Sequence, residues 1–130
     1  MNKMIQILYV EDEPDIRTVT EFALEDEGFE LTPCASGHEA LAKAPVLKPD
    51  LILLDVMMPE IDGPTTLKKL RQLPHMANTP VIFMTAKVQT FEVEQYKAIG
   101  ALGVIGKPFD AMTLAEDIRA MLERSGDQQT

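Results

Sequence analysis

The sequence predicts an α/β fold: a doubly wound, five-stranded parallel sheet with helices on both faces. Short β-rich runs alternate with helical patterns five times, about twenty-five residues apart, a rhythm that calls for right-handed crossovers between parallel strands. Leu51-Ile52-Leu53-Leu54 shows no polar alternation, as suits a strand covered on both faces. Charged and hydroxyl residues follow the strands, and in such sheets ligands bind at the strands' carboxyl ends, near the point where the winding direction reverses.

Met4 to Val10 reads as the first strand. Pro14 to Glu27 reads as the first helix, with Ile16, Val19 and Ala23 at spacings of three and four and Gly28 as its stop. Glu30 to Cys34 is the second strand. Ser36 caps a helix through about Lys43, with Glu39 three residues on as in a capping box. After the apolar run at 51–54, the Asp62-Gly63 turn leads into a helix from Pro64 to about Gln72. Val81 to Met84 is the fourth strand, Val88 to Ile99 the fourth helix with Gly100 as its stop, and Leu102 to Ile105 the fifth strand. The last helix begins near Asp110 and puts Leu114, Ile118, Met121 and Leu122 on one face. One domain over 1–124 and a polar tail over 125–130 are expected.

Composition narrows the function. The chain has 130 residues, 45% of them hydrophobic, enough for one core. Twelve basic residues against twenty-one acidic ones give a net charge of -9, which argues against direct nucleic-acid binding and against an anionic membrane surface. Cys34 is the only cysteine, so no intrachain disulfide forms and no zinc-ligand cluster exists. No signal peptide is legible and every apolar run is too short to span a bilayer, so the chain reads as soluble and cytoplasmic.

The residues after the strands are unusual as a group. The first strand ends in Glu11-Asp12-Glu13, the third in Asp55, the fourth in Thr85 and the fifth in Gly106-Lys107-Pro108. Singly, each has a plain structural explanation: acids before a helix start favour its dipole, an aspartate caps a loop, a lysine is solvated. Together, on adjacent parallel strands, they converge on one patch.

Two like charges about 4 Å apart repel by roughly 4 kcal/mol at an effective dielectric near 20. Glu11, Asp12 and Asp55 with only Lys107 opposing them leave about -2 in one pocket, which calls for a divalent cation. The candidate ligands are all oxygens and coordinated water has room, so Mg²⁺ is favoured. With a reference pKa near 3.9, an aspartate there is expected to be ionised at neutral pH and able to attack phosphorus without a general base. Phosphoryl transfer spreads charge over three oxygens that a metal, a lysine and a hydroxyl can share.

At these residues the sequence closely resembles the receiver domain of two-component response regulators. The matching segments are Tyr9-Val10-Glu11-Asp12-Glu13-Pro14, then Leu51 to Pro59 with Asp62-Gly63, then Met84-Thr85-Ala86, then Lys107-Pro108-Phe109. The resemblance implies the flavodoxin-like strand order 2-1-3-4-5 over a receiver domain at 1–124. It implies Asp55 as phosphoacceptor, Asp12 as direct Mg²⁺ ligand, Glu11 acting through coordinated water, the Met57 carbonyl as a further ligand, Thr85 bonding a phosphoryl oxygen and Lys107 pairing with the phosphate. A cis bond between Lys107 and Pro108 is also implied. The implied function is a phosphorylation-dependent switch: a phosphoacceptor that promotes its own phosphorylation and dephosphorylation without turnover of a separate substrate. Its implied partners are a sensor histidine kinase or phosphotransfer protein and an unknown output protein, reached through helix four, strand five and helix five; a homodimer is a further possible assembly.

The pattern departs from the family at three places. Glu11 replaces the commoner aspartate. Val104 stands where a Tyr or Phe usually rotates, so the expected switch runs through backbone shifts from Thr85 into helix four. Met57 and Lys87 flank the path of the water that would hydrolyse a phosphoaspartate; a thioether cannot orient water as an amide does, so slow self-dephosphorylation is expected. Phe91, Tyr96 and the outer surface of helix five read either as a partner face or as half-buried packing, and His38 and His75 as surface residues. Competing readings are a Mg²⁺-dependent phosphohydrolase with an aspartyl nucleophile, which typically has an Asp where this chain has Met57, and a phosphate-independent interaction module. A nucleotide or flavin carrier is weaker, since no Gly-rich loop follows the first strand.

Overall fold

The computed structural model describes residues 4–129, with side chains to residue 124. Five parallel strands form one sheet: β1 (Ile5–Val10), β2 (Phe29–Cys34), β3 (Leu51–Asp55), β4 (Val81–Thr85) and β5 (Ala101–Gly106), in the order 2-1-3-4-5. The helices are α1 (Pro14–Leu24), α2 (Gly37–Lys43), α3 (Gly63–Leu70), α4 (Thr90–Ala98) and α5 (Leu114–Gln129), with short 3-10 turns at Ala44–Val46 and Pro74–Met76.

Alternate residues of each strand point to opposite faces, which divides the core in two. Leu8, Val10, Ile52, Leu54, Val81 and Phe83 meet Ala40 of α2, Leu67 and Leu70 of α3 and Tyr96 of α4. Ile7, Tyr9, Leu51, Leu53, Ile82 and Met84 meet Leu24 of α1 and Leu114 and Ile118 of α5. Two helices therefore cover one face and three the other. Every residue of β3 and β4 is buried, as the unbroken apolar run at 51–54 required.

The helix starts follow the local chemistry. The Ser36 hydroxyl accepts from the Glu39 N–H at 3.0 Å, while Glu39 Oε1 reaches back to the Ala35 N–H at 2.7 Å, one residue further than a standard capping box. Asp62 caps α3 through the Thr65 N–H at 2.9 Å, and Pro64 takes the second helical position.

The helix ends depart from expectation at several points, α3 closing at Leu70, two residues before Gln72. α1 stops at Leu24 because Glu25 is already extended and Asp26 and Gly28 take φ of 59° and 87°. α4 begins at Thr90, since Val88 is drawn against Gly106 of β5: a Cβ at 106 would lie 3.2 Å from Val88 Cγ1. α5 starts at Leu114, because Asp110 first closes a turn, its carboxylate accepting from the Met112 N–H and its carbonyl from the Thr113 N–H. At the other end, α5 continues through Gln129, so 125–129 extend the helix instead of forming a tail; Thr130 lies outside the described residues. No helix among the described residues is long and apolar enough to cross a membrane.

Candidate functional site

Strand register assembles the site. Val10 pairs with Leu54, so Glu11 and Asp12 emerge beside Asp55; Asp55 pairs with Met84, and Thr85 with Gly106, which puts Thr85 and Lys107 at the same rim. One carboxylate oxygen from each of Glu11, Asp12 and Asp55 lies within 4.8 Å of the others. Lys107 Nζ donates to Glu11 Oε1 at 2.6 Å and to Asp55 Oδ1 at 2.9 Å. Glu11, Asp55 and Thr85 are buried and Asp12 is half-buried, so the acids share a recess, not an open surface.

Glu11 is held from two directions by bonds that the sequence did not announce. Arg17, one turn into α1, donates through Nη1 to the Glu11 carbonyl at 2.6 Å, and the Glu13 N–H reaches Glu11 Oε2 at 3.3 Å. Beneath the acids, the buried Tyr9 hydroxyl donates to Thr20 Oγ1 at 2.9 Å, tying β1 to α1. Gly63 permits the close approach of α3 to the end of β3: a Cβ there would fall 2.4 Å from the Asp55 carbonyl oxygen. The Asp-Gly pair before the helix signalled a turn but not this contact.

Burial changes the electrostatics. Desolvation pushes the Asp55 carboxyl up to about 7, against the pull of Lys107 and with help from Glu11 and Asp12. The expectation that Asp55 is fully ionised at neutral pH is therefore corrected for the metal-free site, because the reference value describes an exposed carboxyl. For Lys107, burial pulls the ammonium down, but the hydrogen bonds to Glu11 and Asp55 outweigh it and hold its pKa above the usual lysine range.

Of the remaining predicted residues, Thr85 lies at this rim, whereas His75 lies in the turn that leads into the opposite end of β4. The Thr85 hydroxyl accepts from the Lys87 N–H at 3.1 Å, and the Lys107 N–H donates to the Thr85 carbonyl at 2.9 Å. Met57 is 66% exposed, and among the described residues no backbone N–H of the surrounding loops donates to its carbonyl. The Lys107–Pro108 peptide is cis. Val104 is half-buried on β5, Tyr96 packs on Phe83 with ring centroids 5.3 Å apart, and Phe91 is exposed. His38 is exposed; His75, also exposed, has Nε2 3.0 Å from the Ala44 carbonyl oxygen.

An all-oxygen set with net negative charge, its members already drawn together, fits a hard divalent cation such as Mg²⁺ and offers nothing to a soft metal.

Comparison with known proteins agrees with this reading. The receiver domain of response regulators matches residues 7–119. The alkaline phosphatase synthesis transcriptional regulatory protein PhoP of Bacillus subtilis is 40% identical over 125 residues, 96% of this chain and 50% of the relative; the chain thus spans about half the length of the curated relatives it matches. The chemotaxis response regulator CheY4 of Vibrio cholerae superposes with a TM-score of 0.85 at 34% identity, over 92% of this chain and 99% of that one. The receiver domain of the sensor histidine kinase PA1611 from Pseudomonas aeruginosa, described with magnesium coordinated in its active-site cleft, gives 0.78 at 30% identity over 92% and 96%. These relatives are regulators and signalling receivers. The name of the first conflicts with the expectation of no nucleic-acid contact, which rested on the charge of these residues alone, whereas the relative is a transcriptional regulator twice as long. With the strand order, the acid cluster and the bridging lysine in place, the chain belongs to the receiver domain family of two-component response regulators.

Proposed function

We propose that this chain is a phosphorylation-dependent switch in which Asp55 accepts a phosphoryl group from a phosphohistidine of a sensor kinase or phosphotransfer protein. The observation that carries the reading is the convergence of Glu11, Asp12 and Asp55 around one point with Lys107 Nζ bridging two of them. An Asp55 carboxylate oxygen attacks phosphorus, the P–N bond breaks, and the imidazole nitrogen leaves with its electron pair. Asp12, Asp55 and the Met57 carbonyl would hold Mg²⁺, with Glu11 acting through water. When bound, the metal supplies charge neutralisation for the carboxylates and for the phosphoryl oxygens. Lys107 exchanges its carboxylate partners for a phosphoryl oxygen, and the Thr85 hydroxyl donates to another.

Beside Lys107 an apolar hollow of about 230 Å³, walled by Ile16, Val19, Pro108 and Phe109, offers the donor protein a place to rest. The drawing of Thr85 toward the phosphate displaces the segment from Ala86 to Phe91 and biases a two-state equilibrium read by the output partner. The longer relatives are named as transcriptional regulators, and we extend an output of that kind to the signalling in which this receiver takes part.

The test is direct. Incubation with a small-molecule phosphodonor should add one phosphoryl mass with Mg²⁺ and none without it or in Asp55→Asn. Following the decay in the same samples, Met57→Asn should lose its phosphoryl group faster than wild type. Modification of Asp55→Asn, or turnover of a free phosphomonoester, would overturn the reading.

A further inference from the structure

We propose that the groove between α1 and β2 docks a basic amphipathic helix of a partner protein. It is the face of the sheet covered by only two helices, α1 and α5, and the edge strand β2 is left incompletely covered there. Phe29, Leu31 and Pro33 alternate along β2, so they point to the same face, and with the end of α1 they line a groove of about 520 Å³. The α1 wall contributes Phe22, 78% exposed, with Glu21 and Glu25 on either side of it in sequence.

The charges select the occupant. Glu21 in the last turn of α1 and Glu25 at its C-cap stand at the negative end of the helix dipole, where carboxylates are unfavourable. The last turn of α1 carries no basic residue, and among the described residues neither glutamate makes an ion pair. Nearby Glu27, by contrast, is paired with Arg119 of α5 at 3.2 Å. The groove thus combines an apolar floor, over whose Phe29 ring the Glu27-paired Arg119 guanidinium lies at 5.8 Å, an exposed aromatic anchor and two rim glutamates outside any ion pair among the described residues. A second copy docked through the same face would set glutamates against glutamates, and phosphate-rich surfaces would be repelled. A helix with leucine-like residues on one face and lysine or arginine at its edges supplies both the missing layer over β2 and the missing charge. α1 runs away from the acid cluster, and the groove lies along its later turns, sharing no lining residue with the hollow beside Lys107.

The full chain, ¹⁵N-labelled, is titrated with a synthetic amphipathic helical peptide of leucine and lysine, and in parallel with its leucine and glutamate counterpart. The lysine peptide should shift amides confined to 18–33, and the glutamate peptide should leave them unmoved. Phe22→Ala should weaken binding about tenfold or more, and Glu21→Lys with Glu25→Lys should reverse the preference between the peptides. All three positions lie on the rim, and circular dichroism checks that the variants remain folded. Absence of binding, shifts centred on the acids of α5, or an affinity indifferent to Phe22→Ala would each overturn the proposal. A Phe22-dependent dimer in sedimentation without peptide would do so too, by assigning the groove to a second copy.

Discussion

Helices α3 and α4 occupy equivalent places in the chain, each entered from a strand that ends at the acid cluster, yet they are held in opposite ways. α3 is capped by the Asp62 carboxylate, buries Gly63, Thr66, Leu67 and Leu70, and is followed by Arg71, whose guanidinium donates to the Met76 and Thr79 carbonyls. α4 has no side-chain cap and no buried residue; Phe91 and Ile99 are exposed, and Tyr96 on Phe83 is its aromatic contact with the core. Asp55, the proposed phosphoacceptor, stands on the fixed side and the hydroxyl of Thr85 on the loose one. Local stability in proteins is uneven, and moving elements come from its low end. Under the proposed function, the contrast places rigidity where attack geometry must be kept and freedom where a signal must be released.

The largest test of this contrast is energetic. Leu67→Ala should cost about 2–5 kcal/mol, the usual range for a buried leucine, whereas Val93→Ala on half-buried α4 should cost under about 1 kcal/mol. Urea unfolding of the two variants measures both, and equal losses would break the comparison.

A second test uses the titration of the fixed side. Desolvation raises the Asp55 pKa to about 7 in the folded, metal-free protein, while in the unfolded chain it returns to about 3.9. Between those values the native state binds more protons, so this group's contribution to stability is present below about pH 4 and is lost as pH rises toward 7. Thermal melts without metal should therefore show that decline, Asp55→Asn should flatten it, Thr85→Ala should keep it, and added Mg²⁺ should raise the melting temperature most near pH 7. A decline that persists in Asp55→Asn would assign it to another group.

The smallest effect is a displacement. Structures with and without a fluoride-based phosphoryl mimic, superposed on β1 and β3, should differ near Ala86 to Phe91 while 63–70 remain in place. Movement of both segments alike would remove the distinction, and no movement near Ala86 would remove the proposed switch.

Much of this was legible in the residues. Alternating strand and helix patterns, the Ser36 and Asp62 caps and the acids after β1 and β3 are local signals, and the register that joins them follows from burying the run at 51–54. The less legible parts depend on contacts distant in sequence. α4 buries nothing, so it has no apolar periodicity to mark its start, and Val88 is claimed by Gly106 across the sheet. The Asp110 turn delays α5 because its side chain and carbonyl take up the N–H groups of Met112 and Thr113. The hold of Arg17 on the Glu11 carbonyl and the desolvation of Asp55 appear only when strands and helices are brought together. The same is true of the edge of β2: nothing in the order of residues says that two helices must cover what three cover on the other side.

The Val88 side chain, lying across Gly106, sets a mechanical tolerance. The loop that follows Thr85 crosses the strand just before Lys107 on a bare stretch of backbone, so it can slide there with little to catch on. An alanine at 106 would put a methyl 3.2 Å from Val88 Cγ1, turning a smooth bearing into a ratchet tooth.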